Sequence, residues 1–433
     1  MSGLAAKAIS TILGYRQQAA SLLLFRSVLA DEVGQAFLQV LAVLCNRNAP
    51  EACLPLYSDW FQAMAKTDRS WQRHLVERIL TDDNPFSQQA QRLPMQELPS
   101  QLAIAAKHDL QILQKLYQFE PEQLSQWVQT VCQLPKSPVV WDLPKSPLPV
   151  SFPTLPDWAE GLAELAHYYQ IHGAGQFGQF HAFRWQQGTL VGIGHPDPVR
   201  LDQLAGYDDP KAKLIQNTEF LLAGYSALNV LLYGSRGSGK SSLVKALVNQ
   251  YGPKGLRLIE VSKANLKDLP EIVEQLRSQP QKFILFVDDL SFEEDDEAFK
   301  ALKVVLEGSV TERPKNVVVY ATSNRRHLIR EFFADRPRPR DADEIQSWDT
   351  VQEKLSFSDR FGLTLTFEAA DQPTYLQIVK HLVVEAGIVL DTEDLEFRAK
   401  QWATRHNGRS GRTARQFVDF LKAELALGED FGF

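Results

Sequence analysis

The residues with the most specific chemical pattern form a glycine-rich turn near the middle of the chain. From Gly234 to Ser241 the sequence fits the pattern G-x-x-x-x-G-K-[ST], and a largely apolar run at residues 229–233 precedes it. Glycine lets the backbone fold into a concavity whose N–H groups point inward, which suits phosphate. A glycine-rich hairpin is the alternative, but the Lys-Ser pair and the strand and helix patterns on either side favour a phosphate loop. Its residues are Gly234, Ser235, Arg236, Gly237, Ser238, Gly239, Lys240, Ser241 and Ser242.

Side chains of this loop and of a later acidic pair could act together on a nucleoside triphosphate. Lys240 would reach the β- and γ-phosphates, and the hydroxyl of Ser241 would bind Mg²⁺. Asp288 and Asp289 directly follow the apolar run 283–287. Because side chains alternate along a strand, we expect Asp288 to hold the hydration shell of Mg²⁺ and Asp289 to orient the attacking water. The alternative is a capped turn that leads into an acidic surface loop.

A polar amide and several arginines complete the set of candidate catalytic residues. Asn324 follows another apolar run and could hydrogen-bond the γ-phosphate or the attacking water, although it could also cap the next helix. A guanidinium neutralises the charge that spreads over phosphate oxygens during phosphoryl transfer. Arg360 and the cluster of Arg409, Arg412 and Arg415 could serve this purpose. Their spacing alone does not select them over surface arginines.

The elements that must position these residues alternate between strand and helix. Apolar runs of strand type occur at residues 229–233, 256–261, 283–287, 317–321 and 363–367, and helical patterns at 241–251, 268–278 and 296–308. Such alternation predicts an α/β fold in which helices bury both faces of a parallel sheet. Ligands of these sheets bind at the carboxyl ends of the strands, where the phosphate loop, the acids and the amide stand.

The segment just before the phosphate loop could cover a nucleotide base. Residues 204–208 form an apolar turn that offers stacking and backbone hydrogen bonds to an adenine ring. Leu204, Gly206 and Tyr207 are therefore predicted to bind the nucleotide.

The first part of the chain reads as a separate helical domain. Apolar residues recur at helical spacing over residues 18–45 and 121–134, which predicts an all-helical domain at 1–134. A proline-rich segment at 135–156, with Leu-Pro-Lys-Ser-Pro occurring twice, is interpreted as a linker, and a PxxP docking motif is the alternative. Residues 157–200 are expected to connect to the nucleotide domain and to pack on it.

Composition limits the classes of protein that this chain can represent. At 433 residues, two or three domains are expected, and a net charge of −7 argues against a surface that is basic throughout, as in many nucleic-acid-binding proteins. The 3 cysteines lack C-x-x-C spacing, which fits a reducing compartment better than disulfides or a zinc site. With no signal peptide or membrane span in the sequence, we expect a cytoplasmic protein with no membrane partner.

The order of these parts resembles that of AAA+ ATPases. More narrowly, NTEFLLAG at 217–224, FVDDLSFE at 286–293, ATSNRRHL at 321–328 and SGRTARQF at 410–417 are similar to a bacterial AAA+ family catalogued as a domain of unknown function. The resemblance covers residues 201–427. It implies an AAA+ domain at 201–370, a helical lid at 371–433, and binding of ATP with Mg²⁺.

The resemblance also implies roles for the arginines. Arg360 takes the place of an arginine finger that reaches the nucleotide of a neighbouring subunit in an ATP-dependent homo-oligomer. Arg412 or Arg415 takes the place of a second sensor in the lid. Two features depart from the AAA+ pattern: Asp289 stands where most members have glutamate, and residues 336–340 form an insertion rich in arginine and proline.

Different functions are compatible with this pattern. The first is an ATPase that remodels an unidentified protein partner bound by the N-terminal helices. The second is a slow ATP-dependent switch or loader. A version that acts on DNA would use Arg325, Arg326, Arg330 and residues 336–340 on phosphates, but a solvated loop is favoured because acids are interspersed there. A GTPase is disfavoured because no N-K-x-D motif follows residue 324.

Overall fold

The computed structural model of the chain describes residues 4–46, 50–144, 147–291, 297–307, 314–324, 360–406 and 408–427. It divides into two compact units, Met1–Gln179 and Phe180–Phe433. No helix in these described ranges is long and apolar enough to cross a bilayer.

The first unit is helical. Its helices are α1 (Ala6–Ala20), α2 (Glu32–Leu44), α3 (Cys53–Thr67), α4 (Trp71–Leu80), α5 (Pro85–Ala90), α6 (Ser100–Tyr117), α7 (Pro121–Cys132), α8 (Leu162–His172) and α9 (Gly175–Gln179). Aromatic rings fill its centre: the ring of Phe37 lies 4.6 Å from that of Trp71 and 4.9 Å from that of Phe119. The indole of Trp71 also donates a hydrogen bond to the carbonyl of Leu116 at 2.8 Å.

The helical pattern that the sequence shows over residues 18–45 is interrupted in the structure. A 3₁₀ turn occupies Phe25–Leu29. The buried carboxylate of Asp109 accepts hydrogen bonds from the backbone N–H groups of residues 23–25. Because a distant side chain takes these donors, they are not available to the carbonyls of a continuing helix. A new helix, α2, begins at Glu32.

The proline-rich segment belongs to the helical unit. Its backbone carbonyls accept hydrogen bonds from side chains of the helices, as at Val139 from Tyr57 at 2.8 Å. Phe152 is fully buried against Trp158, with ring centroids 5.1 Å apart. The division of the chain therefore falls at Gln179 and differs from the boundary predicted at residues 135–156, because apolar side chains on both sides of the prolines are buried in the helical core.

The second unit contains a seven-stranded sheet within the described residues, in the order β2-β1-β4-β5-β6-β3-β7. The strands are β1 (Ala182–Gln186), β2 (Thr189–Gly192), β3 (Val230–Gly234), β4 (Leu256–Glu260), β5 (Lys282–Val287), β6 (Val317–Ser323) and β7 (Leu363–Phe367). The β1–β2 pair is antiparallel and the other pairs are parallel. The hairpin β1–β2 thus extends the sheet, whereas residues 157–179 of the predicted connecting segment 157–200 belong to the helical unit.

Helices accompany this sheet, and a further group of helices follows it. The former are α10 (Asp208–Leu222), α11 (Lys240–Tyr251), α12 (Leu269–Arg277) and α13 (Glu297–Glu307); the latter, the lid, are α14 (Gln372–Glu385), α15 (Thr392–Arg405) and α16 (Gly411–Leu427). The lid has its own apolar core, which includes Tyr375, Trp402 and Phe417. The architecture is therefore the predicted one, a parallel-sheet α/β core with a C-terminal helical lid and a helical N-terminal region.

A buried tyrosine connects α10 to the middle of the sheet. The hydroxyl of Tyr320 accepts a hydrogen bond from Asn217 Nδ2 at 3.0 Å and lies 2.9 Å from the hydroxyl of Thr218. Asn217 also bonds both backbone groups of Leu228, which precedes β3. Burial raises the pKa of Tyr320 to about 12, so its hydroxyl stays protonated and can serve these partners.

Candidate functional site

A cavity of ≈ 1040 Å³ lies at the carboxyl ends of β3, β5 and β6. It is open between the sheet, the segment before α10 and the lid. It brings together most of the residues that the sequence predicts as a site: Leu204, Gly206, Tyr207, Arg236, Gly237, Ser238, Gly239, Lys240, Ser241, Ser242, Asp288, Asp289, Asn324, Arg412 and Arg415. Residues that are distant in the sequence thus face one space.

The phosphate loop begins where β3 makes a close approach to β7. The backbone of Gly234 has φ +137°, and a Cβ added there would lie 1.9 Å from the carbonyl oxygen of Phe367. That carbonyl accepts a hydrogen bond from the N–H of Ser235 at 2.8 Å. Only glycine satisfies both demands, because any side chain would strike the neighbouring strand. The end of β7 therefore fixes where the loop leaves the sheet.

Lys240 begins α11, and its side chain lies within the loop. Its ammonium donates hydrogen bonds to the carbonyl oxygens of Gly234 at 3.0 Å and Ser235 at 2.7 Å. It also lies 3.4 Å from Asn324 Oδ1. Burial lowers the pKa of Lys240, and the charges of Asp288 and Asp289 act in the opposite direction. Gly234 and Ser235 do not line the cavity themselves. Their carbonyls hold the side chain of Lys240, which does.

The hydroxyl of Ser241 and the carboxylate of Asp288 lie next to each other. Ser241 Oγ donates to Asp288 Oδ1 at 2.6 Å. Mg²⁺ prefers oxygen ligands and commonly takes only one or two from the protein, with phosphate and water completing its octahedron. This pair fits such an ion, since both oxygens are close enough to share one coordination sphere.

Asp289 differs from Asp288 in backbone conformation and in partners. It has φ +52°, a left-handed conformation that is uncommon for residues other than glycine. Its Oδ1 accepts a hydrogen bond from Asn324 Nδ2 at 2.7 Å. The two acids therefore point to different neighbours, although both lie beyond the end of β5 and the left-handed turn at Asp289, rather than strand alternation, separates them. Asn324 contacts both Asp289 and Lys240.

Thr322 is a site residue that sequence reasoning did not select. Its hydroxyl donates to Asp288 Oδ1 at 2.5 Å and accepts from the N–H of Asp289 at 2.9 Å. The register explains the contact, because Val287 of β5 pairs with Ala321 of β6 and the next residues are then side by side. Only the pairing of the two strands could have revealed this residue.

Apolar and aromatic residues also line the cavity. Tyr207 has φ +56°, its hydroxyl donates to the carbonyl of Glu368 at 2.7 Å, and its ring lies 5.2 Å from that of Phe367. Two lid residues that we did not predict, Ile378 and Leu382, line the same cavity. Their sequence signal is that of any apolar helix position, so it does not distinguish a cavity wall from a core.

The lid touches the phosphate loop directly. The backbone N–H of Arg412 donates to the carbonyl of Gly237 at 3.1 Å. A Cβ added at Gly411 would lie 3.1 Å from the same oxygen. Arg412 and Arg415 both line the cavity, so the geometry leaves both as candidates for one role.

Arg360 lies elsewhere. It precedes β7 and is not among the described residues that line the cavity. Because β7 is parallel to β3, the start of β7 lies at the amino ends of the strands, whereas the phosphate loop lies at their carboxyl ends. The chain therefore does not bring Arg360 to its own cavity. Arg325, Arg326, Arg330 and the stretches 293–296 and 336–340 lie outside the described residues.

The phosphate loop, the paired acids, the strand order and the helical lid together define a P-loop protein of the AAA+ class. β3, which carries the loop, lies between β6, which ends beside Asn324, and β7. Within that class, the chain belongs to the family described as protein of unknown function DUF815, whose sequence profile matches residues 178–425.

Comparisons with individual proteins add only distant similarity. A search among curated proteins finds no match. A proline-to-glycine mutant of Thermotoga maritima RuvB has 16% identity and a TM-score of 0.38, with 54% of this chain and 68% of that chain covered. The Thermotoga maritima RuvB Holliday junction branch migration motor has 14% identity and a TM-score of 0.32, with 52% and 72% covered. At such low TM-scores these similarities carry no argument about this chain.

Proposed function

We propose that this protein binds ATP with Mg²⁺ and hydrolyses it, and that hydrolysis drives remodelling or assembly of a partner. The observation that carries the proposal is the convergence of Lys240, Ser241 and Asp288 at one end of a cavity, with 2.6 Å between the Ser241 hydroxyl and the Asp288 carboxylate. A site that binds a phosphate chain through a lysine and a metal ion through oxygen ligands needs this arrangement, whereas a turn with only a structural role does not.

Each residue has a part in the proposed reaction. The loop N–H groups and Lys240 would bind the β- and γ-phosphates, while Ser241 and Asp288 would hold Mg²⁺, which when bound neutralises phosphate charge. Asp289 would accept the proton of the attacking water, and Asn324 would orient Asp289. Arg412 or Arg415 would stabilise the charge on the phosphate oxygens from the lid. Which role each residue plays stays a prediction.

The apolar and aromatic residues that line the cavity support adenine as the base. Leu204, Tyr207 and the lid residues Ile378 and Leu382 offer flat or aliphatic surface there. The sequence contains no guanine-reading N-K-x-D motif after Asn324. We therefore propose ATP rather than GTP as the nucleotide.

We further propose that the protein forms an ATP-dependent homo-oligomer and binds a protein partner through its helical unit. Arg360 lies at the amino ends of the strands, away from its own cavity at the carboxyl ends, and this position supports a role on a neighbouring subunit. An action on DNA is less favoured, since the arginines that would carry it are interspersed with acids.

A slow switch is the second candidate, and the contacts of Asp289 favour it. Its carboxylate is engaged by Asn324 at 2.7 Å, and it has a shorter reach than the glutamate that AAA+ proteins usually carry. Such an acid would polarise water weakly unless nucleotide binding releases it.

Nucleotide titration and steady-state hydrolysis distinguish these functions. We expect the wild type to bind and hydrolyse ATP, Lys240→Ala to lose binding, and Asp289→Asn to retain binding without turnover. Lys254→Ala is a matched control, because this lysine is exposed beyond the far end of α11 and lies over the ring of Tyr251. Wild type that binds ATP but hydrolyses it no faster than Asp289→Asn would favour the switch. Unchanged affinity in Lys240→Ala would refute nucleotide binding at this site.

A further inference from the structure

Thr322 connects the two acids at the end of β5 to the neighbouring strand β6. It is 2% exposed, and its hydroxyl has a partner for its hydrogen, Asp288 Oδ1, and one for its lone pair, the N–H of Asp289. Its backbone carbonyl also accepts the N–H of Leu290 at 2.7 Å. A single residue of β6 thus contacts each of the residues 288–290.

The hydroxyl supports a backbone conformation that is otherwise unfavourable. Asp289 has φ +52°, and a non-glycine residue keeps this conformation only when its surroundings impose it. The hydrogen bond from its N–H to Thr322 Oγ1 is one such constraint. The backbone conformation of Asp289 also decides where its short carboxylate points, which in this structure is toward Asn324.

The same hydroxyl constrains Asp288. Asp288 Oδ1 accepts from both Ser241 and Thr322, at 2.6 and 2.5 Å. If Ser241 turned its oxygen toward a metal ion, the bond from Thr322 would remain to hold the carboxylate. The threonine hydroxyl is therefore suited to keep Asp288 in place with or without nucleotide.

We propose that Thr322 is a positioning residue that sets the orientation of Asp288 and Asp289 for hydrolysis. This inference rests on the proposed function, in which those acids serve the metal and the water. Thr322 itself needs no contact with the nucleotide. Its loss is expected to reduce the rate of the chemical step more than the affinity for ATP.

Three variants test the role of the hydroxyl. Thr322→Val keeps the shape of the side chain and removes the hydroxyl, and Thr322→Ser keeps the hydroxyl. Ser323→Ala is the matched control, since Ser323 is 1% exposed on the same strand and its hydroxyl donates to the carbonyl of Leu290 at 2.9 Å. For each we would measure kcat, the affinity for ATP with Mg²⁺, and the thermal unfolding temperature.

We expect Thr322→Val to lower kcat about tenfold to a hundredfold, as misplacement of reacting groups does, while affinity for ATP changes less than about threefold. Thr322→Ser should retain most of the activity, and Ser323→Ala should match the wild type in kcat. Equal losses in Thr322→Val and Ser323→Ala, or losses of kcat and affinity in parallel, would overturn the positioning role in favour of a general packing role.

A crystallographic comparison separates this inference from the proposed function. In ligand-free Thr322→Val we expect Asp289 to leave the left-handed conformation and its contact with Asn324 to break, whereas both should persist in Ser323→Ala. If Asp289 keeps φ near +52° in Thr322→Val, the inference is wrong even when the wild type hydrolyses ATP. If the wild type binds no nucleotide, the proposed function fails, and this comparison still decides whether Thr322 positions the acids.

Discussion

At the scale of single residues, Lys240 is surrounded by oxygen atoms that a phosphate group could replace. The carbonyls of Gly234 and Ser235 accept its hydrogen bonds. They satisfy the donors of a buried ammonium, but no carboxylate among the described residues is in direct contact with its charge. An incoming phosphate would supply both hydrogen bonds and opposite charge, so binding should favour the protonated form.

The lowered pKa of Lys240 predicts a pH dependence of nucleotide binding. At pH values below that pKa the lysine is charged, and the affinity for nucleotide should be constant. As the pH rises through that pKa, which lies below the ordinary lysine value of 10.5, the lysine loses its charge. The affinity should then fall by about tenfold to a hundredfold, because a charge-assisted hydrogen bond is lost. Titration with a fluorescent ATP analogue at increasing pH measures this. Lys240→Ala should bind weakly at every pH of the series.

Unfolding does not explain such a fall, because the lysine affects stability in the opposite direction. Between the lowered folded pKa and the ordinary value, the unfolded chain binds more protons at Lys240 than the folded chain does, so its contribution to ligand-free stability rises with pH. Affinity that stays constant up to pH 10.5 would contradict the prediction.

Gly234 should tolerate no side chain. In Gly234→Ala the new Cβ would meet the carbonyl of Phe367 at 1.9 Å, so β7 must move away, and we expect a loss of about 3 kcal/mol or more in local stability. Gly224→Ala is the control, since φ is +82° there but no atom lies within 4 Å, which leaves a conformational cost of about 1–2 kcal/mol. Hydrogen exchange of the β7 amides measures the difference. Equal protection in the two variants would refute the close approach.

How far the site could be predicted from sequence depends on whether its pattern is local. The phosphate loop is a continuous motif, so its residues are identifiable without a fold. Asp288 and Asn324 could be inferred because each follows an apolar strand of a parallel sheet. Thr322 and Leu382 could not be inferred from sequence. Thr322 is a site residue because of the register between β5 and β6, and Leu382 is one because of the way the lid packs.

At the scale of elements, the sheet and α10 share a polar connection in an otherwise apolar core. Asn217 and Thr218 of α10 converge on the hydroxyl of Tyr320 in β6, and Asn217 continues to Leu228 before β3. This connection fixes α10, which follows the cavity-lining turn 204–207, relative to the strand that carries the phosphate loop.

Removal of the Tyr320 hydroxyl should weaken that connection. In Tyr320→Phe the buried amide of Asn217 loses an acceptor, and we expect the free energy of opening of β3 and β6 to fall by about 1–3 kcal/mol. Hydrogen exchange of their amides as a function of urea reports it. Tyr233→Phe is the matched control, because its hydroxyl bonds Thr366 at the surface and its loss should change exchange little. If both variants exchange alike, the connection contributes no specific stability.

Strands were easier to predict than boundaries between units. Buried parallel strands are nearly continuous apolar runs, so the predicted 317–321 and 363–367 correspond to Val317–Ser323 and Leu363–Phe367. The proline-rich segment was misleading because composition reports backbone stiffness, while burial of Phe152 depends on the helices that surround it. The break between α1 and α2 likewise depends on a carboxylate, Asp109, far along the chain.

At the scale of the whole molecule, the position of Arg360 predicts that full activity requires assembly. Arg360→Ala should bind ATP with the affinity of the wild type but lose about a thousandfold or more in kcat, as expected for an arginine finger. Mass photometry with and without ATP should show an increase in size for the wild type. Arg277→Ala, which removes a surface arginine paired with Glu274, is the control. A wild type that stays monomeric with ATP yet hydrolyses it would refute the role in a neighbouring subunit.

The pairing of β3 also has a consequence for synthesis of the chain on the ribosome. Both strands that flank β3 lie later in the sequence, and Tyr233 meets its partner Thr366 133 residues downstream. At the usual rate of 5–20 residues per second, this takes about 7–27 s. Throughout that interval the apolar segment Val-Leu-Leu-Tyr has emerged without its neighbours, so nascent chains are expected to depend on chaperones that shield it until translation passes Phe367.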